Sequence, residues 1–527
     1  MTILILDLQG ISILLNNLLS FSWSLILFLP IIILVLSWLG ISWLWLQRLL
    51  AGGTLLALVN WLLVVFLATT LALPNWLHIV PLTATLLLLV LFLALVVVRY
   101  AITNFEGDAD QPRFLRWLVW VVFAVMVTVA SNHLLVFWLA WLSISLSLHQ
   151  LLMFYPQRPR AALAAHKKFI LARVAELLLG LAFILLYSQH GTGIISDILA
   201  YYPAIDLHWQ EQLAAVLLAL VALIKCAQLP LHGWLIQVVD VPTPVSALLH
   251  AGVINLGGFV LLLFAPLFSQ VLLAQGIILV VAGLSTVLSA LIMMTRISIK
   301  VRLAWSTTAQ MGLMLVECAL GLYDLALLHL VAHSCYKAHA FLTAGEAVNH
   351  HLREQFFPSN LPKFRHYGAA ILVVFALILG VSQIVVVAPV LSPWLLIGIA
   401  LTMLLASRFN QQKASRFAWL YSILLVSGVL LTYLVLKMLA GDLLPTVSLH
   451  TSWLGDVWIC VLILCLVTAY LVLQYWPAKA FSQRLFIALN AGLYLDEWAT
   501  RYTLLLWPKA IPRTSQKRIS TKLEIVK

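Results

Sequence analysis

Residues 222–258 read ALIKCAQLPLHGWLIQVVDVPTPVSALLHAGVINLGG. An apolar run carries Lys225 into Pro230 and His232; the triplet Pro242, Thr243, Pro244 follows, and a second apolar run carries His250. A lysine at the centre of a span costs about 2.5–3.5 kcal/mol to insert, and proline removes the N–H that a helix needs. Irregular backbone at membrane depth is tolerated where it is buried in protein or lines a cavity. The stretch therefore predicts an all-α polytopic membrane fold, with a broken helix near Pro230–Pro244 beside a hydrated ion site. The plain alternative is an interfacial loop between two helices.

The surrounding composition supports the membrane reading. Of 527 residues, 64% are hydrophobic and 9% charged, which excludes a soluble globular domain. Fifteen apolar stretches are long enough to span, from the first two near 24–46 and 52–72 to the last near 456–475, so 13–16 transmembrane helices are expected. Basic residues fall in alternate loops: Arg48; Arg99 and Arg113; Arg158, Arg160, Lys167 and Lys168; Arg296, Lys300 and Arg302; Arg353, Lys363 and Arg365; Arg408, Lys413 and Arg416; and the tail from Lys479. Loops 189–209 and 439–455 carry acids without Lys or Arg. The positive-inside bias then places the N-terminus outside and the C-terminus in the cytoplasm, with an odd number of spans. It also accounts for the formal charge of +12 without a nucleic-acid partner. Cys226, Cys318, Cys335, Cys460 and Cys465 have no metal-ligand spacing and fit small core residues. The start MTILILDLQG has no basic n-region or cleavage site of a removable signal peptide.

Composition divides the chain into an apolar scaffold (1–100), a core with nearly all the intramembrane charge (101–350), further apolar helices (351–475) and a cytoplasmic amphipathic, basic tail (476–527). Within the core, Arg173 and Glu176 are three apart and share a helical face. They form either a structural ion pair or a site in which Glu176 faces Lys225 and sets its protonation. His329, His333 and Lys337, spaced four and four, form one slowly drifting stripe that suits a proton relay. Glu317 and Glu346 flank it as candidate counter-charges. His250 fits a relay position or a satisfied core histidine. Zinc held by the two histidines lacks further ligands within the helix.

Several motifs carry a family resemblance. HGWLIQVVDVPTPVSALLHAG (232–252) resembles the HTWLPDA-x-x-GPTPVSALIHA signature of the proton-translocating subunits shared by respiratory complex I and Mrp-type cation/proton antiporters. FEGDADQPRF (105–114), KKFILARVAELLLG (167–180), IKVRLAWSTTAQMGLM (299–314) and HLVAHSCYKAHAFL (329–342) resemble further motifs in the family's order. The resemblance implies two inverted five-helix repeats, each with a broken helix and a central lysine, and puts Lys225, His250, His333 and Lys337 on a proton path. Departures narrow it. Leu142 stands where the family has a glutamate, and 367–407 has no Lys, with Pro389 and Pro393 not reproducing the second broken helix. The ending QRLFIALNAGLYLDEWATRYTLLLWP (483–508) and the missing glutamate resemble the DabB-type membrane subunits of inorganic carbon accumulation systems. That resemblance implies a large cytoplasmic DabA-like partner carrying zinc, with no cofactor and no hydration chemistry in this chain. The driving ion is a proton or sodium. The other readings are a cation/proton antiporter or pump subunit, and a scaffold without transport.

Overall fold

The computed structural model describes residues 2–67, 73–202, 207–346, 361–382, 390–409, 416–444 and 453–507. Arg353, Pro389, Lys413 and the basic end of the tail lie outside these residues. The first half contains α1 (Thr2–Trp38), α2 (Trp43–Leu67), α3 (Pro81–Asn104), α4 (Gln111–Ala130), α5 (Leu134–Leu152), α6 (Pro159–His190), α7 (Ile195–Ala200), α8 (Trp209–Lys225), α9 (Gly233–Gln237), α10 (Thr243–Ala251), α11 (Leu256–Leu263) and α12 (Ala265–Phe268). There follow α13 (Leu272–Met294), α14 (Ile299–Ala319), α15 (Tyr323–Leu342), α16 (Phe364–Ser382), α17 (Ser392–Phe409), α18 (Arg416–Asp442), α19 (Trp453–Tyr475), α20 (Ala480–Asn490) and α21 (Glu497–Leu506). Among the described residues there is no strand, only two isolated bridges.

Eleven of these segments are long and apolar enough to cross a membrane, α10 and α11 counting as one. The shorter or more polar α8, α14, α15 and α17 complete a one-to-one match with the fifteen expected stretches. The protein is a multi-pass, all-α membrane protein. One register is corrected: the first two spans end and begin at Trp38 and Trp43, not near 46 and 52. Gly40 ends α1 at φ +83°, a conformation that costs glycine little because it has no Cβ. Hydropathy is nearly uniform across the break, so it does not mark the turn.

The main core joins α1–α15 with α19, and α16–α18 close a second, separate apolar cluster around Val374, Leu405 and Leu430. Burial is graded accordingly: 94% of the apolar window in Thr243–Leu263 is enclosed, against 11% in Phe364–Val381. The most enclosed span is also the most irregular.

Two interruptions shape that region. After Lys225 the chain leaves the helix through Ala227, a non-glycine residue at φ +50°, and passes Pro230 before α9 begins. The freed backbone groups are taken up by side chains: Leu229 N–H donates to Ser285 Oγ (3.0 Å), and Gln228 Nε2 donates to the carbonyls of Cys226 (2.8 Å) and Thr308 (3.2 Å). Pro242 and Pro244, expected to prevent helix, instead start one: Pro242 is the N-cap of α10 and Pro244 lies in its first turn, where a missing N–H is no loss. A second interruption falls at Gly252 and the 3-10 turn Val253–Asn255, between α10 and α11. Here Asn255 Nδ2 donates to Ala251 O (2.9 Å) and Ser334 Oγ (2.6 Å).

Candidate functional site

At the end of α8, Lys225 reaches a cavity of about 30 Å³, room for roughly one water molecule. Trp141, Lys168, Glu176, Ile224 and Ile254 also line it. The Lys225 ammonium lies 4.4 Å from the Trp141 ring centroid, so beside Leu142 the lysine meets an aromatic face instead of a carboxylate. Packing of α6 against α5 and α8 supplies the rest. Arg173 Nη2 stands 2.8 Å from the Glu176 carboxylate and donates to Ser145 Oγ at 2.9 Å. Lys168 Nζ donates to Ser145 O (2.6 Å) and Oγ (3.2 Å). The pair Arg173–Glu176 and the cavity shared by Glu176 and Lys225 therefore coexist. One acid among three bases makes a cluster whose charge changes when a single proton enters or leaves.

A second group runs along α15. His329 Nδ1 is 3.0 Å from the Glu317 carboxylate of α14, and its ring centroid is 6.0 Å from that of His333. Lys337, one turn further, has no exposed surface and donates to Leu303 O at 3.0 Å. His250 stacks on Phe341 (centroids 4.3 Å) and its Nδ1 is 3.1 Å from Thr307 Oγ1. Both ring nitrogens of His333 and Nε2 of His250 are buried without a protein partner. Such groups cost about 1–3 kcal/mol each when left unpaired. Glu346, in contrast, is exposed past the end of α15.

The two interruptions link the groups. Val253 and Ile254 border the Lys225 cavity just beyond His250, and Cys226 Sγ is 3.4 Å from Ile254 O. Gln228 follows Lys225 and bonds Thr308, neighbour of the Thr307 that holds His250; its Oε1 is buried without a protein donor. Pro230 lies inside the first interruption, while Pro242 and Pro244 only position His250. Sequence reading missed Lys168, Gln228, Thr307 and Lys167. Lys167 and Lys168 had been counted as loop charges, yet both are buried. Their adjacency at the head of a long apolar helix was the available signal. Among the described residues no cluster of His, Cys, Asp or Glu could hold a metal.

The probable inorganic carbon transporter subunit DabB of Hydrogenovibrio crunogenus is 48% identical over 442 residues, which are 83% of this chain and 84% of that protein. The chain belongs to the DabB family. DabB2 of Halothiobacillus neapolitanus, likewise described as a probable inorganic carbon transporter subunit, is 35% identical over 81% of this chain and 80% of its own length. The model of the NADH:quinone oxidoreductase/Mrp antiporter transmembrane family matches residues 131–386, which hold every charged residue of both groups. A solved structure of the Mrp complex from Dietzia sp. DQ12-45-1b shares the fold at TM-score 0.57 and 19% identity. The alignment covers 96% of this chain but 62% of that longer one. This DabB-family chain is thus an antiporter-like membrane protein whose buried bases form two groups, one at the interruption after Lys225 and one along α15.

Proposed function

We propose that this chain is the ion-translocating subunit of an inorganic carbon uptake complex, and that the ion is a proton. The supporting observation is Lys225: a lysine at a helix interruption, sharing a water-sized cavity with Glu176 and Lys168, in a chain related to inorganic carbon transporter subunits. A scaffold has no need of such groups, because each costs insertion free energy. The basic loops orient the C-terminus to the cytoplasm. There the chain meets a large cytoplasmic DabA-like partner related to carbonic anhydrases, whose zinc supplies the hydration of carbon dioxide. No step of that hydration occurs on this chain.

Protons enter from the outer end at Glu317–His329, the more buried of the two ion pairs near that face of α15. His333 and Lys337 carry them along the stripe, since consecutive members are one turn, about 6 Å, apart. His250, held by Thr307, passes them across the interruptions to Lys225, and Glu176 with Arg173 balances the charge that arrives. Proton entry down its gradient drives the partner's hydration in one direction.

Lys225→Ala tests this in cells that depend on the complex for growth in air. Growth should be lost while the membrane abundance of both subunits stays at the wild-type level. Normal growth of the variant would reject the path, and ion flux that continues unchanged without inorganic carbon would favour an antiporter instead.

A further inference from the structure

The C-terminal segment brings an acid to the inner end of the site. After α20 the chain turns through Leu493 (φ +53°) and Tyr494 (φ +55°), and this turn delivers Asp496 to α9. Asp496 Oδ2 is 2.6 Å from Lys167 Nζ and accepts from Gln237 Nε2 at 3.0 Å. Lys167 also donates to Thr500 Oγ1 at 2.6 Å. The seat is shaped for the carboxylate: a Cβ added to Gly233 would stand 1.5 Å from Asp496 Oδ1. That Oδ1 is buried without a protein donor. Lys167 is joined in the chain to Lys168, whose side chain lines the Lys225 cavity. The cavity and Asp496 are thus reached from adjacent residues of α6, Lys168 on one side and Lys167 on the other.

We propose that Asp496 is a further residue of the ion path, the acid that closes its inner mouth, and that α21 carries it on and off. This rests on the ion-path reading above. Leu489 anchors α20 in the main core, with Leu485 and Leu495 packed against it, whereas α21 beyond Asp496 is held by polar contacts. The buried part of α21 is Thr503 alone, that of α20 is Ser482 and Leu489, and Leu505 is 76% exposed. The far end of α21 is held by Trp507, which stacks on His166 (centroids 4.8 Å) and meets Phe169 edge-on (6.3 Å). An element with so little buried apolar contact opens far more readily than the fold around it. Seated, Asp496 neutralises Lys167 and covers the mouth; lifted, it leaves Lys167 facing the cytoplasm and the cavity chain open.

The test uses the full chain with its partner, comparing Asp496→Asn, a His166→Cys/Trp507→Cys pair bridged by a short bis-methanethiosulfonate reagent, and Lys225→Ala. Asp496→Asn should lower carbon uptake at least tenfold at unchanged abundance and raise proton leak in inverted vesicles. The bridged pair should lose uptake without leak and regain it on reduction, with the activity of each single-cysteine variant unchanged by adding the reagent. Wild-type uptake in Asp496→Asn, a loss that only follows abundance, or full activity of the bridged protein would overturn the proposal. If those occur while Lys225→Ala is inactive, the gate alone is wrong; if Lys225→Ala is active, the path itself is.

Discussion

Lys337 separates what the fold needs from what the proposed ion path needs. Its side chain has no exposed surface, its ammonium has one carbonyl acceptor at 3.0 Å, and among the described residues it makes no ion pair. Burying an ion costs several kcal/mol after relaxation, and a charge-assisted hydrogen bond returns about 1.5–3 kcal/mol. Lys337→Met keeps the length and the apolar stem while removing the charge. The fold should therefore become more stable by about 1–3 kcal/mol, a factor of roughly 5 to 150 in the unfolding equilibrium. Carbon uptake should fall at least tenfold. Lys337→Ala should instead destabilise by about 2–5 kcal/mol, because it leaves a cavity. Thermal unfolding of the purified complex in detergent, read by size-exclusion fluorescence, measures the first effect, and uptake of labelled inorganic carbon by cells the second. A Met variant that unfolds below wild type by more than about 1 kcal/mol, or one that takes up carbon normally, would refute the reasoning.

Two other outcomes follow from the geometry. Arg173→Gln strands the Glu176 carboxylate and should cost about 1–3 kcal/mol of stability; the Arg173→Gln/Glu176→Gln double variant should recover abundance without recovering uptake, and additive losses of abundance would show that the two do not act as a pair. Burial pushes the His232 imidazole, in the segment between α8 and α9, down to about 4 from 6.5. Between those values the unfolded chain binds a proton that the folded chain does not, so stability falls as pH drops from 6.5 toward 4 and is unaffected above 6.5. The loss reaches on the order of 3 kcal/mol at the acid end, and His232→Gln should flatten that branch of the unfolding-midpoint curve; an unaltered acid slope would exclude His232 as its source.

The spans were legible because a bilayer demands about 20 apolar residues in a row, and each expected stretch has its helix. Boundaries inside uniformly apolar sequence were not, as the Gly40 turn illustrates. Lys225, His250 and the α15 stripe stood out because charge in an apolar run is conspicuous. Lys168 did not, because a lysine beside a loop reads as loop charge until the helix is seen to begin at Pro159 and bury it. Proline was misread at 242–244 because its effect depends on position: it interrupts a helix interior and favours the first turn. The interruption at Gly252–Asn255 had no proline to announce it. Asp496 was legible as part of the DabB-like ending of the tail, but its contact with Lys167, 329 residues away, is a property of the assembled bundle.

The separate packing of α16–α18 has a consequence for how such a protein can change. The buried bases are confined to the main core, and the second cluster meets them along one face, where α18 packs against α15 and Lys437 stands 3.6 Å from Asp324. Substitutions on the sides of α16 and α17 that face away from α15 alter a surface, whereas those on the inner face of α18 reach the stripe. Those outward sides are where the molecule can be refitted to a thicker bilayer, a different lipid or a new neighbour without disturbing the buried bases.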